Sequence, residues 1–259
     1  MTVRSPGPIA FQIGSLTVRW YGLLIAAALV IGLFIAVRRA DAAGIRRDDV
    51  YDFFILMVPS IIVGARLWYV LFQWSYYRLY PREIFMIWHG GLAIHGGIIA
   101  AIIAGALFCR ARRLSFLKLA DVLIPALPLG QAIGRWGNFF NGEAYGRQTN
   151  LPWAITVHDP TLGWIHVHPT FLYESLWDLG VFLILIFVIE KKYKKTDGQL
   201  LFSYFILYSI GRFFVEGLRT DSLMFFGLRT AQLVSLVLIA VGIVGLTWLH
   251  RKPKTASKN

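Results

Sequence analysis

The sequence predicts an all-α polytopic membrane protein of seven transmembrane helices, with its N-terminus outside and its C-terminus cytoplasmic. Three observations carry that expectation. The 259 residues are 57% hydrophobic and only 15% charged, with a mean hydropathy of +0.60, whereas soluble chains run at about 25% charged. The apolar residues fall in separate blocks, each close to the roughly 20 residues that cross a bilayer. The basic excess, 26 Lys+Arg against 14 Asp+Glu, lies in short clusters between those blocks.

The first block, 20–37, carries no charge. Only Arg4 and Arg19 precede it and a dense basic cluster follows, the reverse of a cleaved signal peptide, so it is expected as a retained helix. The second, 53–73, is interrupted by Arg66. The third, 91–109, contains His95 about one turn from its start. The fourth, 119–134, is the weakest, broken by Asp121, Pro125, Pro128 and Gln131, although membrane helices tolerate proline where neighbours re-satisfy the freed carbonyls. A segment rich in Gly, Asn, Pro and aromatic residues, about 135–170, is expected as a small extracytoplasmic part. Trp136, Trp153 and Trp164 suit the headgroup level there, and Pro152–Val157 reads as a strand. Blocks at 171–189, 199–216 and 231–249 complete one integral-membrane domain over 1–259, and 250–259 is a basic cytoplasmic tail.

Loop charge sets the orientation. Arg38, Arg39, Arg46 and Arg47 follow the first block, and Arg110, Arg112, Arg113 and Lys118 the third. Lys191, Lys192, Lys194 and Lys195 follow the fifth, and Arg251, Lys252, Lys254 and Lys258 the seventh. All lie on one side of the bilayer, which the positive-inside rule makes cytoplasmic. The same scatter in short loops argues against nucleic-acid binding. The single cysteine, Cys109, excludes an intramolecular disulfide and any multi-cysteine metal site, and is expected as a buried, inert thiol.

In that topology the ionisable residues in or near the spans gather on the outer side: Arg19, Arg66, His95, Arg135, Glu143, His168, Glu174, Arg212 and Glu216. Asp121 alone falls in an inner half. Each such group costs about 2.5–3.5 kcal/mol to insert, so their convergence predicts a polar cavity open to the outer leaflet. Arg66 reads equally as a structural pairing residue or a ligand. His166 and His168 lack a third ligand at suitable spacing, so no metal site is expected. His95, beside Gly96 and Gly97, is expected to be functional, since glycines admit a close neighbour.

The polar load peaks in Gly134-Arg-Trp-Gly-Asn-Phe-Phe-Asn-Gly-Glu-Ala-Tyr-Gly146. This run resembles the signature of the bacterial phosphatidylglycerol–prolipoprotein diacylglyceryl transferases, Gly-Arg-x-Gly-Asn-Phe-x-Asn-x-Glu-x-x-Gly, at every fixed position. Arg19–Gly22, Gly90–Gly97, His168–Glu174 and Gly211–Glu216 resemble four further family segments in the same order. Phe171 stands where many relatives have glutamine. The resemblance implies transfer of a diacylglyceryl group from phosphatidylglycerol to the lipobox cysteine of a preprolipoprotein, at the outer leaflet of the bacterial cytoplasmic membrane. A thioether forms and glycerol 1-phosphate leaves.

Such chemistry must activate a thiol with a pKa near ~8.5 and stabilise a departing phosphate. Arginine suits the second task, because its planar fork grips phosphate bidentately; Arg135 and Arg212 are the candidates. His95 is the candidate base for the thiol, or else it positions the lipid while the arginines lower the thiol pKa. The candidate substrate-binding set comprises Tyr21, Arg135, Asn138, Asn141, Glu143, Gly146, His168, Tyr208, Arg212 and Glu216. Within it Asn138, Asn141 and Tyr21 are donors for glycerol or phosphate oxygens, Glu143 and Glu216 are expected to orient the arginines, and Gly146 to serve a turn. No cofactor is needed, since the lipid carries an activated carbon–oxygen bond. A lipid flippase or small-solute transporter would also use a polar cavity between spans, and a membrane lipid phosphatase or acyltransferase would reuse the arginines.

Overall fold

The computed structural model describes residues 3–225 and 227–251; Lys252, Lys254 and Lys258 of the basic tail lie outside them. In chain order, β1 (Val3–Arg4), β2 (Ile9–Ile13) and β3 (Leu16–Arg19) precede α1 (Trp20–Ala40), α2 (Arg47–Phe72), α3 (Trp74–Tyr77) and α4 (Ile94–Arg112). Then come α5 (Phe116–Leu123), α6 (Ala126–Asn141), β4 (Ile155–Asp159), β5 (Gly163–Val167) and α7 (Thr170–Leu183), which continues as a π-helical stretch, Ile184–Tyr193. Finally α8 (Gln199–Glu216), β6 (Met224–Phe225), β7 (Leu228–Arg229) and α9 (Thr230–Arg251) close the chain.

Among the described residues five helices are long and apolar enough to cross a membrane, or six if α5 and α6, bent by 40° at their junction, form one span. The helical membrane architecture expected from composition is therefore present, with three amendments. The fourth block is two helices, because Pro125 sits at the break. α4 begins at Ile94, since Gly90 and Gly91 have φ of 86° and 75° and cannot be helical, so His95 occupies the first turn instead of lying one turn in. Small sheets accompany the helices: β4 pairs antiparallel with β5 and parallel with β1, while β2 pairs with β3 and β6 with β7. Of the strand expected over Pro152–Val157, Ile155 to Val157 begin β4, while Pro152 and Trp153 lie in a turn.

The chain's contacts gather into two compact units, residues 36–119 and residues 1–35 with 120–259. In the first, α2 and α4 cross at small residues. A Cβ on Gly96 would strike the Gly64 carbonyl and the Trp68 side chain, and one on Gly97 would crowd Ile61, the close backbone approach typical of membrane helix pairs. Arg112 of α4 ties this pair to α2 through Asp49, 3.4 Å away, and Asp52.

In the second unit α6 packs on α7, α7 on α8, and α8 on α9. Val181, Leu185, Leu200 and Tyr204 form the apolar core between α7 and α8. A second core, under the polar loop, holds Ile155, Val157, Val167 and Phe171. Phe171 stacks on Phe139 at 4.7 Å and meets Trp136 edge-on, so an apolar contact replaces whatever polar one a glutamine would make. Asp121, fully buried, accepts hydrogen bonds from the Gly198 and Leu201 backbone N–H groups and pairs with Lys194 at 3.2 Å. It caps the positive end of α8 from another helix. That structural duty accounts for the one carboxylate expected away from the others.

Candidate active site

The Gly134–Gly146 run is the end of α6 and its exit. Gly142, at φ 67°, closes the helix, and Ala144 takes φ 56° with its carbonyl held by Thr170 Oγ1 at 2.6 Å. The chain then enters an extended stretch. Gly146 N–H donates to the His168 carbonyl at 3.1 Å, Arg147 N–H to Leu218 at 2.8 Å, and Gly146 forms an isolated bridge with Arg219. A Cβ on Gly146 would lie 2.8 Å from His168 Cβ and 3.2 Å from the Leu218 carbonyl. The turn expected at Gly146 is thus made by Gly142 and Ala144, and Gly146 is required for close approach.

This threading brings α6, the start of α7 and the end of α8 to one place. At its centre is Glu174, whose side chain is 5% exposed. Arg135 pairs with its Oε2. Arg212 Nη1 lies 3.1 Å from both of its oxygens, and Arg219 Nη1 3.4 Å from Oε1. Arg212 Nη2 also reaches Glu216 at 2.5 Å, one helical turn on, while Arg219 grips Asp221 with Nε and Nη2 at 2.9 and 2.7 Å. That bidentate grip lowers the Asp221 carboxyl pKa, outweighing partial burial, which acts to raise it. Arg229 Nη1 fixes the turn between these groups by donating to the carbonyls of Glu216 and Arg219 and to Ser222 Oγ. Unpaired arginines at this depth would each cost several kcal/mol; the shared carboxylate offsets that cost.

Arg135 and Arg212 therefore come together as expected, and Glu216 orients Arg212. Among the described residues Glu143 pairs with no arginine. Its Oε1 instead accepts from Asn138 Nδ2 at 3.0 Å and Asn141 Nδ2 at 3.1 Å, which fixes the two amides on the exposed side of the run. Tyr21 packs its ring on Gly137, where no Cβ fits, and Trp20 stacks on Phe140 at 4.8 Å. His168 Nδ1 lies 3.3 Å from Tyr173 Oη, which also accepts from Trp153 Nε1 at 2.8 Å. Burial, aided by the Arg147 charge, lowers the His168 pKa and favours a neutral ring. Tyr208, one turn before Arg212, stacks on Tyr204 at 5.4 Å. His166 meets Thr156 instead of His168, and among the described residues no cluster of metal-ligating side chains forms.

His95 and Arg66 belong to the other unit. His95 is exposed and has no hydrogen-bond partner among the described residues. Arg66 is 6% exposed, and all of its N–H groups go to backbone carbonyls: Nε to Ile84, Nη1 to Gly90 and Gly91, Nη2 to Glu83 and Met86. Of the two readings the sequence left open, this is the structural one. Arg66 organises the loop that precedes His95.

Sequence reasoning counted Glu174 among the polar groups but assigned it no role, and it passed over Arg219 and Asp178. Asp178 is 2% exposed, and its Oδ2 has no hydrogen-bond partner among the described residues. Glu174 and Asp178 sit four apart, on one face of an apolar helix, which was the available signal.

Helices long and apolar enough to cross a membrane, with Arg135 and Arg212 joined on one buried carboxylate, define a helical membrane protein. Comparison with known proteins gives the family. The profile described as prolipoprotein diacylglyceryl transferase matches residues 8–248. A protein of Clostridioides difficile is 48% identical over 95% of this chain and 96% of its own length, and one of Acaryochloris marina 49% identical over 95% and 92%. One of Finegoldia magna is 50% identical over 91% and 93%. Each is called phosphatidylglycerol–prolipoprotein diacylglyceryl transferase. The chain belongs to the prolipoprotein diacylglyceryl transferase family.

Proposed function

We propose that this protein transfers the diacylglyceryl group of phosphatidylglycerol to the lipobox cysteine thiol of preprolipoproteins, the first step of lipoprotein lipidation. The cysteine sulfur attacks the glycerol carbon that bears the phosphate. A carbon–sulfur bond forms, and the carbon–oxygen bond breaks with its electron pair going to the phosphate oxygen. The thiol proton passes to His95, and glycerol 1-phosphate leaves. Arg135 and Arg212 hold the phosphate, where preorganised donors are worth most because charge develops there. Asn138 and Asn141, set by Glu143, bind glycerol or phosphate oxygens together with Tyr21. Glu216 and Tyr208 support Arg212, while Gly146 and His168 form the wall behind it.

The reaction runs at the outer leaflet of the bacterial cytoplasmic membrane. With α5 and α6 taken as one span, α8 is the sixth in chain order and brings the count to seven, its polar residues being those of the site; the N-terminus and the 135–170 segment are outside, and the C-terminus is cytoplasmic. The support comes from the arginine pair of Arg135 and Arg212, drawn together from two helices onto one carboxylate. Purified protein given phosphatidylglycerol and a lipobox peptide should yield a thioether-linked diacylglyceryl peptide. Movement or hydrolysis of lipid with no thioether would overturn the reading in favour of a flippase or a phosphatase.

A further inference from the structure

We propose that Glu174 is the resident counter-anion of the phosphate site, which yields Arg135 and Arg212 to the substrate by turning to Arg219 and takes them back as the product leaves. The inference rests on the phosphate clamp proposed above and deepens it.

The partners of the three arginines are unequal. Arg212 has Glu216 and Arg219 has Asp221, each on a separate edge of the guanidinium. Among the described residues Arg135 has one ion pair, with Glu174, and its charge also acts on the buried Asp178 from farther off. When Glu174 withdraws, Arg135 therefore loses its ion pair and Arg212 is freed at Nη1, and the two make a fork of the kind that grips phosphate. Glu174 cannot withdraw to nothing, since an unpaired carboxylate in this buried place costs several kcal/mol. Arg219 Nη1 already stands 3.4 Å from the same oxygen that Arg212 holds at 3.1 Å, and its other edge is occupied. A small rotation of the carboxylate exchanges one partner for the other.

The exchange also sorts charge states. The lipid phosphate is a diester with one negative charge, so it competes with a carboxylate on near-equal terms. As the carbon–oxygen bond breaks, the phosphate gains a second charge and outcompetes Glu174. The site then favours the transition state over the bound substrate, which is what raises turnover. The dianionic product holds the arginines hardest, and competition from Glu174 weakens that hold.

The test is to titrate glycerol 1-phosphate and inorganic phosphate onto purified wild type, Glu174→Gln and Arg219→Gln, by calorimetry and by ligand-induced thermal shift, and to measure transfer kinetics. Glu174→Gln should bind glycerol 1-phosphate about tenfold tighter or more, with lower KM for the lipid and lower kcat. Arg219→Gln should bind it more weakly, because Glu174 then has no second partner. A purely structural role would weaken binding in both. Equal affinities across the three proteins, or weaker binding by a folded Glu174→Gln, overturn the inference while leaving the clamp standing. Should Glu174→Gln not fold, Glu174→Ala takes its place with the same expected tighter binding, and unchanged or tighter binding by Arg219→Gln overturns the inference in either case. No binding by any of the three at millimolar ligand overturns the clamp and this inference together.

Discussion

Arg135 of α6 and Arg212 of α8 meet on a single carboxylate, Glu174 of α7, with Arg212 Nη1 3.1 Å from each of its oxygens. Three helices are thereby fixed at one point, and two planar donors face the same small volume. Lysine would keep both charges there but present a point charge in place of the fork. Arg135→Lys and Arg212→Lys are each expected to lower transfer by about a hundredfold, the usual effect of losing one preorganised donor to a developing oxyanion. The loss should appear in kcat with the fold intact by circular dichroism. Turnover within a factor of a few of wild type would remove these residues from the phosphate role.

His95 is the proposed base, and its replacement separates two mechanisms. His95→Asn keeps a polar side chain at the first turn of α4 but cannot accept the thiol proton. Activity should fall steeply at neutral pH and recover in part as the pH approaches the thiol pKa of ~8.5, where the nucleophile ionises unaided. A pH–rate profile parallel to that of wild type would make His95 a group that positions lipid.

Arg66 predicts a defect of a different kind. Its guanidinium satisfies the carbonyls of Glu83, Ile84, Met86, Gly90 and Gly91, and charged hydrogen bonds contribute about 1.5–3 kcal/mol each. Arg66→Met should cost about 3–5 kcal/mol, as when one partner of a buried charged group is lost. The 83–91 loop should become open to proteolysis before the rest of the chain unfolds. Gly91→Ala should act in the same direction, since its Cβ would collide with Arg66 and Tyr69 at a φ of 75°. Wild-type melting and wild-type protease resistance in both variants would remove Arg66 from this duty.

Gly146 and Gly142 make a controlled pair. Gly142→Ala meets no atom but sits at φ 67°, so its cost is the backbone strain alone, about 1 kcal/mol. Gly146→Ala must push apart His168, Thr170 and the Leu218 carbonyl, and overpacking of that kind costs about 1–3 kcal/mol. Because the displaced strand carries Arg219, activity should fall much further in Gly146→Ala than in Gly142→Ala. Equal losses of activity would mean that the close approach does not matter to the site.

What the sequence revealed followed the range of each interaction. The blocks at 199–216 and 231–249 were legible because a helix declares its apolar length locally, and the Arg212–Glu216 pair because four residues make one turn. The hub at Glu174 was not, because Arg135 and Arg219 reach it across 39 and 45 positions, and nothing local marks which arginine answers which carboxylate. Arg66 stayed ambiguous for a related reason: its partners are backbone carbonyls, which every residue carries. The start of α4 was misplaced because the apolar run continues through Gly90 and Gly91, whose positive φ only the folded loop discloses.

The β4–β5 hairpin should respond to acid through Asp159. Its carboxylate accepts from Thr161 Oγ1 at 2.6 Å, Thr161 N at 2.8 Å, Leu162 N at 3.0 Å and Tyr145 Oη at 3.1 Å. Those bonds, the Thr161 hydroxyl foremost, lower its pKa from 3.8 to about 2. The folded pKa lies below the unfolded one, so between them the unfolded hairpin binds more protons. The stabilisation is complete above about pH 4 and drains away as the pH falls through about 2. Amide protection across 155–167, taken relative to the intrinsic exchange rate at each pH, should therefore fall over that interval, with β5 loosening where it runs into His168. Asp159→Asn, which cannot ionise, should show the same protection at both ends of the interval. Protection in the wild type that stays flat from about pH 4 to about pH 2 would mean that the turn does not depend on this carboxylate.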